Sequence, residues 1–172
     1  MLGHNHPELH GATHVVFADA QRSYTDVTEA VCTLLGYSRQ ELLQKTVEDV
    51  SYKMGDVPQV FDKFLQHGKM EGDYVLRHKD GGAIPIHFRA LSFPDGCNAA
   101  IWTPIKDWRD PYLSALIETD PAKLKRKVEV AQSAIERVLR EAESERKPMQ
   151  EQQALRDAIS ALRTVAREKP GL

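Results

Sequence analysis

The chain has 172 residues and a formal net charge of −2, enough for one domain with an appendage and a real hydrophobic core. That charge gives no overall pull toward nucleic acid or an anionic membrane, and no apolar run approaches the roughly eighteen residues of a membrane span. The N-terminus lacks the basic-then-apolar plan of a signal peptide, and Cys32 and Cys97 stand in no metal or redox spacing; the expectation is a cytoplasmic protein with reduced thiols.

The chain opens with His4, His6, His10 and His14. Clustered imidazoles can hold zinc, copper or nickel, and His4-x-His6 suits an extended chain. Nothing in the sequence supplies a second shell to orient the rings, so residues 1–12 are read as a flexible polar leader and no metal site is assigned. His14 to Ala20 has strand composition, with Val15, Val16 and Phe17 for a core. Gln21 and Arg22 connect it tightly to a second strand, Ser23 to Val27.

An apolar helical pattern follows through Ala30, Val31, Leu34 and Leu35, and Gly36 ends it, since a residue without a Cβ reaches the left-handed cap at little cost. Ser38 and Glu41 then form S-x-x-E ahead of Leu42 and Leu43, the pattern of a capping box. Thr46-Val47-Glu48-Asp49 is a second helix start. Asp56-Val57-Pro58 is a third, with Asp as N-cap and proline in the first turn, leading into a helix with Val60, Phe61, Phe64 and Leu65 at helical spacing and Gly68 as its cap.

From Met70 the period changes to two. Tyr74, Leu76 and His78 alternate with Asp73, Val75 and Arg77, and Lys79-Asp80-Gly81-Gly82 turns the chain. Ile84, Ile86 and Phe88 mark the next strand, where Pro85 implies an edge position or an irregular start. Pro94-Asp95-Gly96 turns again into a strand from Asn98 to Ile105. Alternation alone does not say which sheet face His78, His87 and Arg89 occupy.

That order, with LLGYS-RQELL, the helix end FLQHG and the KDG turn of the last hairpin, resembles a PAS domain over residues 13–106. The resemblance implies an α+β fold, a five-stranded antiparallel sheet wrapped around a small lumen under short helices, which senses a ligand or cofactor or pairs with partners. The residues expected to line that lumen are Cys32, Leu35, Phe64, Tyr74, Ile86, Phe88 and Trp102. Two departures stand out. Thr28 occupies the place where many members carry Asn, and Asp107-Trp108-Arg109 replaces the Asp-x-Thr triplet that often leads to an output helix.

Cofactors follow residue by residue from the same resemblance. Flavin photoreceptors of this fold carry Asn-Cys-Arg-Phe-Leu where this chain has Thr46-Val47-Glu48-Asp49-Val50, and Val47 offers no thiolate for an adduct. Haem sensors place an axial His near the start of the helix before the meander, where this chain has Asp56-Val57-Pro58; His67 lies at the other end. Neither cofactor is expected. No phosphate loop, H-E-x-x-H or G-x-S-x-G string is present, and no catalytic residue is assigned.

Past Ile105 the composition shifts. Residues 107–120 read as a linker with a short helical piece at Asp110-Pro111, carrying Tyr112, Leu113, Leu116 and Ile117. Residues 121–169 read as a helical hairpin. Its first helix repeats Leu124, Val128, Ala131, Ile135, Val138 and Ala142 at heptad steps, and its second repeats Leu155, Ile159, Leu162 and Ala166 up to Lys169-Pro170-Gly171. Lys123 to Lys127 is a basic cluster among glutamates, read as a solvated face rather than a nucleic-acid contact. Two helices leave such a stripe with an open side, to be covered by the PAS sheet or by a second subunit; a homodimer is expected, with Leu124, Val128, Ile135, Val138, Leu155, Ile159 and Leu162 in its interface. The functional expectation is a non-catalytic sensory module that binds a small ligand or an unidentified signalling protein and relays through the hairpin. A pure assembly module, its lumen filled by its own side chains, is the alternative.

Overall fold

The structure is a computed structural model and describes residues 6–52 and 56–168. Strands β1 (Val15–Ala18) and β2 (Tyr24–Val27) pair antiparallel around a turn that the Asp19 carboxylate holds by accepting the N–H groups of Gln21 and Ser23, each at 2.9 Å. Arg22 takes a left-handed φ of 70° there. The remaining strands are β3 (Lys69–Arg77), β4 (Ala83–Ser92) and β5 (Asn98–Pro104), and the sheet order is β2-β1-β5-β4-β3. This is the five-stranded sheet expected from the sequence.

Between β2 and β3 lie α1 (Glu29–Leu35), α2 (Arg39–Leu42), a 3-10 turn (Glu48–Val50) and α3 (Val57–His67). Gly36 and Gly68 end α1 and α3 at φ of 75° and 74°, conformations that cost an L side chain energy. The capping box is complete: Glu41 N–H donates to Ser38 Oγ at 3.2 Å, and Ser38 N–H donates to a Glu41 carboxylate oxygen at 2.8 Å. At the 3-10 turn the cap runs backwards, with Thr46 N–H and Oγ1 donating to Asp49 Oδ2 at 2.8 and 3.1 Å. Those bonds, the backbone one foremost, hold the Asp49 carboxyl below its usual range. Asp56 is the N-cap of α3 by position, but its side chain makes no cap bond.

Pro85 does not mark an edge. It lies buried in β4, an interior strand between β5 and β3. The reason is its place along the strand: its carbonyl accepts the N–H of Ile105 at 2.9 Å, one residue past the end of β5, so the ladder is already finishing there.

Contacts divide the chain into two compact units. Of the described residues, the first holds those up to Gly72 with Leu76–Ala83 and His87–Thr103; the second holds Asp73–Val75, Ile84–Ile86 and those from Pro104 onward. The second unit contains α4 (Arg109–Leu116), α5 (Pro121–Ser144) and α6 (Met149–Glu168). Asp120 caps α5 by accepting Ala122 N–H at 2.9 Å, and Pro121 needs no partner in the first turn. Glu118 binds Lys127 Nζ at 2.6 Å and accepts Asp120 N–H and Thr119 N–H at 2.9 Å; the Lys127 bond first, then these, lower its carboxyl to about 2.

The seam is not open. Leu124, Val128, Ala131, Ile135, Ala142, Leu155, Ala158, Ile159 and Leu162 form one buried cluster with Ala115 of α4, and Trp108, Tyr112, Val138, Leu139 and Val165 pack against it. The stripe expected to need the PAS sheet or a second subunit packs against α4, the short helix read as part of a linker, which acts as the third helix of a small bundle. The heptad pattern marks most of the buried residues, but Val138 is only partly buried and Ala166 is exposed, and the pattern does not say what covers the rest.

Candidate functional site

The register of β1 and β5 sorts their side chains. Val16 faces Ala100 and Ala18 faces Asn98, while Val15 faces Ile101 and Phe17 faces Ala99. Alternation therefore puts Val16, Ala18, Asn98, Ala100 and Trp102 on one face and Val15, Phe17, Ala99 and Ile101 on the other. On the first face the rings of Tyr24 and Trp102 meet edge to face at 6.5 Å. Asn98 is 5 % exposed, and among the described residues no partner reaches its Oδ1. A buried amide oxygen without a partner is costly, so it calls for a reason.

The helices supply their own residues to the core of this unit. Cys32, Leu35 and Phe64 are buried there, and burial, then Glu29, pushes the Cys32 thiol up from its usual range. Phe88 is half-buried and covers Gly72, where an added Cβ would meet its ring at 3.5 Å. Five of the seven residues expected to line a lumen, Cys32, Leu35, Phe64, Phe88 and Trp102, thus lie in the first unit. Tyr74 and Ile86 are buried in the second, where the Arg126 guanidinium of α5 stands 5.5 Å from the Tyr74 ring centre. Asn98, the polar group of the set, reads from the sequence only as the first residue of a strand, a place where a polar side chain is ordinarily solvated.

Two buried or half-buried charges frame α1 and α2. Asp26 of β2 is 5 % exposed and pairs with Arg39 of α2, whose other nitrogen donates to Val27 O at 3.3 Å. Thr28, standing where Asn is common, bridges backbone instead: its hydroxyl donates to Thr13 O at 2.8 Å and accepts Val15 N–H at 3.1 Å.

The three polar residues of the meander now have places. His78 lies against Gly36, with Nδ1 2.9 Å from Asp80 Oδ1. His87 is exposed. Arg89 is exposed too, and donates to Glu8 O at 3.3 Å.

That last bond leads to the second face of β1 and β5, which the N-terminal segment covers. Pro7–Leu9 form a 3-10 turn, and Leu9 and Ala12 pack with Phe93, Cys97 and Ile101 against Val15, Phe17 and Ala99. Residues 6–12 are therefore a folded part of the first unit, not a loose leader; the reading failed because its support comes from residues some ninety positions away. His4 lies outside the described residues. His6 stacks on Phe93, with ring centres 3.6 Å apart and 9° between planes.

In the second unit Lys123 and Lys125 of the basic cluster are exposed, while Arg126 stands over the Tyr74 ring and Lys127 is committed to Glu118. Among the described residues, no helix is long and apolar enough to cross a membrane.

An antiparallel sheet in the order β2-β1-β5-β4-β3, with short helices between its second and third strands, defines a single-sheet α+β module. The family profile described as PAS domain matches residues 14–105, more than half of the chain, and the chain belongs to the PAS domain family. Among solved structures it is similar to the PAS domain of a Desulfitobacterium hafniense protein, at 19 % identity and a TM-score of 0.50 over 55 % of this chain and 93 % of that one. It is also similar to a domain of a sensory box sensor histidine kinase/response regulator from Geobacter sulfurreducens (22 %, 0.49, 54 % and 83 %). A third likeness is the PAS domain of an HTR-like protein from Haloarcula marismortui (18 %, 0.49, 54 % and 80 %). No curated protein matches the chain.

Proposed function

We propose that this protein is a non-catalytic, cytoplasmic PAS sensory module that binds a small ligand on the Trp102 face of its sheet and relays that event through α4 to α6. The observation that carries the reading is Asn98 Oδ1, a buried acceptor without a partner among the described residues, on the face shared with Trp102. A small apolar or aromatic molecule bearing one hydrogen-bond donor suits such a surface, since ligand sites combine apolar walls with a few placed polar groups. The relay is supported by the make-up of the second unit, which groups Asp73–Val75 and Ile84–Ile86 with the three helices. A ligand shifts such a system only by its differential affinity for two arrangements.

Native mass spectrometry of freshly purified protein is the test, with Asn98→Leu beside the unaltered chain. The expected result is a copurified small molecule on the unaltered protein, lost in Asn98→Leu, and an Asn98→Leu chain at least as stable as the parent because an unsatisfied amide has been removed. Absence of any adduct, together with an Asn98→Leu chain that is less stable, overturns the reading.

A second reading, assembly through another chain, draws on Leu113 and Ile117 of α4 and its C-cap. These are one turn apart and 56 % and 77 % exposed. A homodimer belongs with this reading, since the heptad seam no longer argues for it. Light scattering separates the two: a dimer that Ile117→Glu converts to a monomer favours assembly.

A further inference from the structure

We propose that His6, Asp95 and Cys97 form a zinc site that clips the N-terminal segment to the turn between β4 and β5. Their ligand atoms, an imidazole nitrogen, a carboxylate oxygen and the Cys97 sulfur, all lie within 4.8 Å of one another. His6 Nε2 is 3.5 Å from Asp95 Oδ2. Zinc–nitrogen and zinc–oxygen bonds of about 2.0–2.2 Å and a zinc–sulfur bond of about 2.3 Å imply tetrahedral edges of roughly 3.3–3.7 Å. The histidine–aspartate edge already has that length, and the sulfur needs to move by about 1 Å at most to complete the triangle.

The donors match the ion. One imidazole, one carboxylate and one thiolate form a borderline-to-soft set that suits zinc better than magnesium or calcium, and three protein ligands leave the fourth position to water.

The surroundings also supply what the sequence alone did not offer, groups that orient the ligands. The His6 ring is fixed by its stack on Phe93. Asp95 Oδ1 accepts the Cys97 N–H at 2.9 Å, which ties two ligands together through the turn and leaves Oδ2 toward His6. The segment that carries His6 is itself held, by Leu9 and Ala12 in the apolar cluster and by Arg89 on Glu8 O. These are the outer partners that hold metal ligands in place. On binding, Cys97 releases its thiol proton to solvent and the sulfur bonds the metal; no electron transfer is involved. The consequence is local: zinc binding tightens the cover over Val15, Phe17 and Ala99.

The test uses the full chain without a histidine tag. Zinc is titrated against a competing chromophoric chelator, and cobalt is used as a spectroscopic stand-in. The expected result is one ion per chain, with a thiolate-to-cobalt charge-transfer band that disappears in Cys97→Ser. His6→Ala and Cys97→Ser are each expected to weaken zinc binding about tenfold or more, since loss even of an outer partner costs 10–100-fold. A His4→Ala/His10→Ala chain keeps affinity within about twofold, a loss too small for a ligand. Cys97→Ser conserves the turn, so its melting temperature without zinc equals that of the parent. Binding that survives His6→Ala and Cys97→Ser but is lost in His4→Ala/His10→Ala overturns the proposal, as does a chain that takes up no zinc.

Discussion

Gly36 sits directly against the imidazole of His78: a Cβ built on Gly36 would lie 2.6 Å from both His78 Cε1 and Nε2. The end of α1 and the start of the β3–β4 turn are joined at this point, and Lys79 N–H donates to Leu35 O at 2.9 Å beside it. Gly68 shares the same left-handed φ but has nothing within 4 Å of its missing Cβ. The two glycines therefore separate backbone strain from steric conflict. Gly68→Ala should cost about 1–2 kcal/mol, the penalty of a left-handed L residue. Gly36→Ala should cost more, by about 1 kcal/mol or above, because the His78 ring must leave its place beside Asp80. Chemical denaturation of both variants checks the order; equal losses would remove His78 from the account.

The capping box gives a paired prediction. Ser38→Ala should lose about 1 kcal/mol, the usual value of an N-cap hydroxyl, in a helix of four residues with little propensity to spare. Glu41 adds a pH dependence. Its hydrogen bond to Lys79 Nζ, then that from Ser38 N–H, lowers its carboxyl from 4.5 to about 2. A depressed folded-state value means the stabilisation is present above pH 4.5 and is lost as the pH falls toward 2. The melting temperatures of the parent and Glu41→Gln should therefore differ most above pH 5 and converge in acid, as read by circular dichroism. The group is exposed, so high salt should shrink the difference.

Ile135 and Leu162 test the bundle. Both are fully buried in one apolar cluster of α4, α5 and α6. Leu162→Ala should cost about 2–5 kcal/mol, transfer plus cavity. A charge at Ile135 should expose α5 and α6 to protease, because a lone charge in that cluster has no partner. A folded monomer from Ile135→Asp, with the hairpin still protected, would show that the residue faces out.

These three cases mark what the sequence carries. Ser38, Glu41 and the Gly36 cap were legible because their bonding partners lie within a few positions, where spacing is the signal. The two-residue period located β3 and β4 as strands but did not sort their faces, since Tyr74, Val75 and Leu76 are buried in a row, as are Ile84, Pro85 and Ile86. Thr28 was visible as a departure, yet its bonds to Thr13 and Val15 cross from one element to another. The helix Arg109–Leu116 was found as a short piece starting at Asp110-Pro111, but its part in closing the hairpin depends on tertiary neighbours that a heptad count does not contain. His6, Asp95 and Cys97 are the extreme case: a histidine in an apparent leader and a Pro-Asp-Gly-Cys turn meet only once the sheet is built. Asn98 was hidden for a different reason, since a turn-favouring residue type masks its burial at the start of a strand.

The colour of the protein tests the cofactor reading. Val47 and Val57 stand where flavin and haem sensors of this fold need Cys and His, and Val57 is buried at the start of α3. The protein purified from cofactor-replete cells should show no absorption above the aromatic band. A Soret band or a flavin spectrum would reverse the assignment and make the bound cofactor the ligand.

Arg126 and Tyr74 provide the last prediction, on the relay. The guanidinium of α5 stands 5.5 Å from the centre of a ring on β3, within the second unit. Such a pair is worth about 0.5–1 kcal/mol where exposed and about 2 kcal/mol where desolvated, and Tyr74 is buried. Arg126→Gln keeps length and polarity but removes the charge, while Tyr74→Leu keeps burial but removes the ring. A double-mutant cycle on these changes should give a coupling of about 1 kcal/mol, above what two unrelated sites show. Tyr74→Phe should behave as the parent in the same cycle, because the ring face is what the cation meets. If the strand and the helix respond together, Arg126→Gln should also raise amide exchange in β3 as well as in α5. Exchange confined to α5, with no coupling energy, would mean that the helices report nothing from this strand and that any signal leaves by another route.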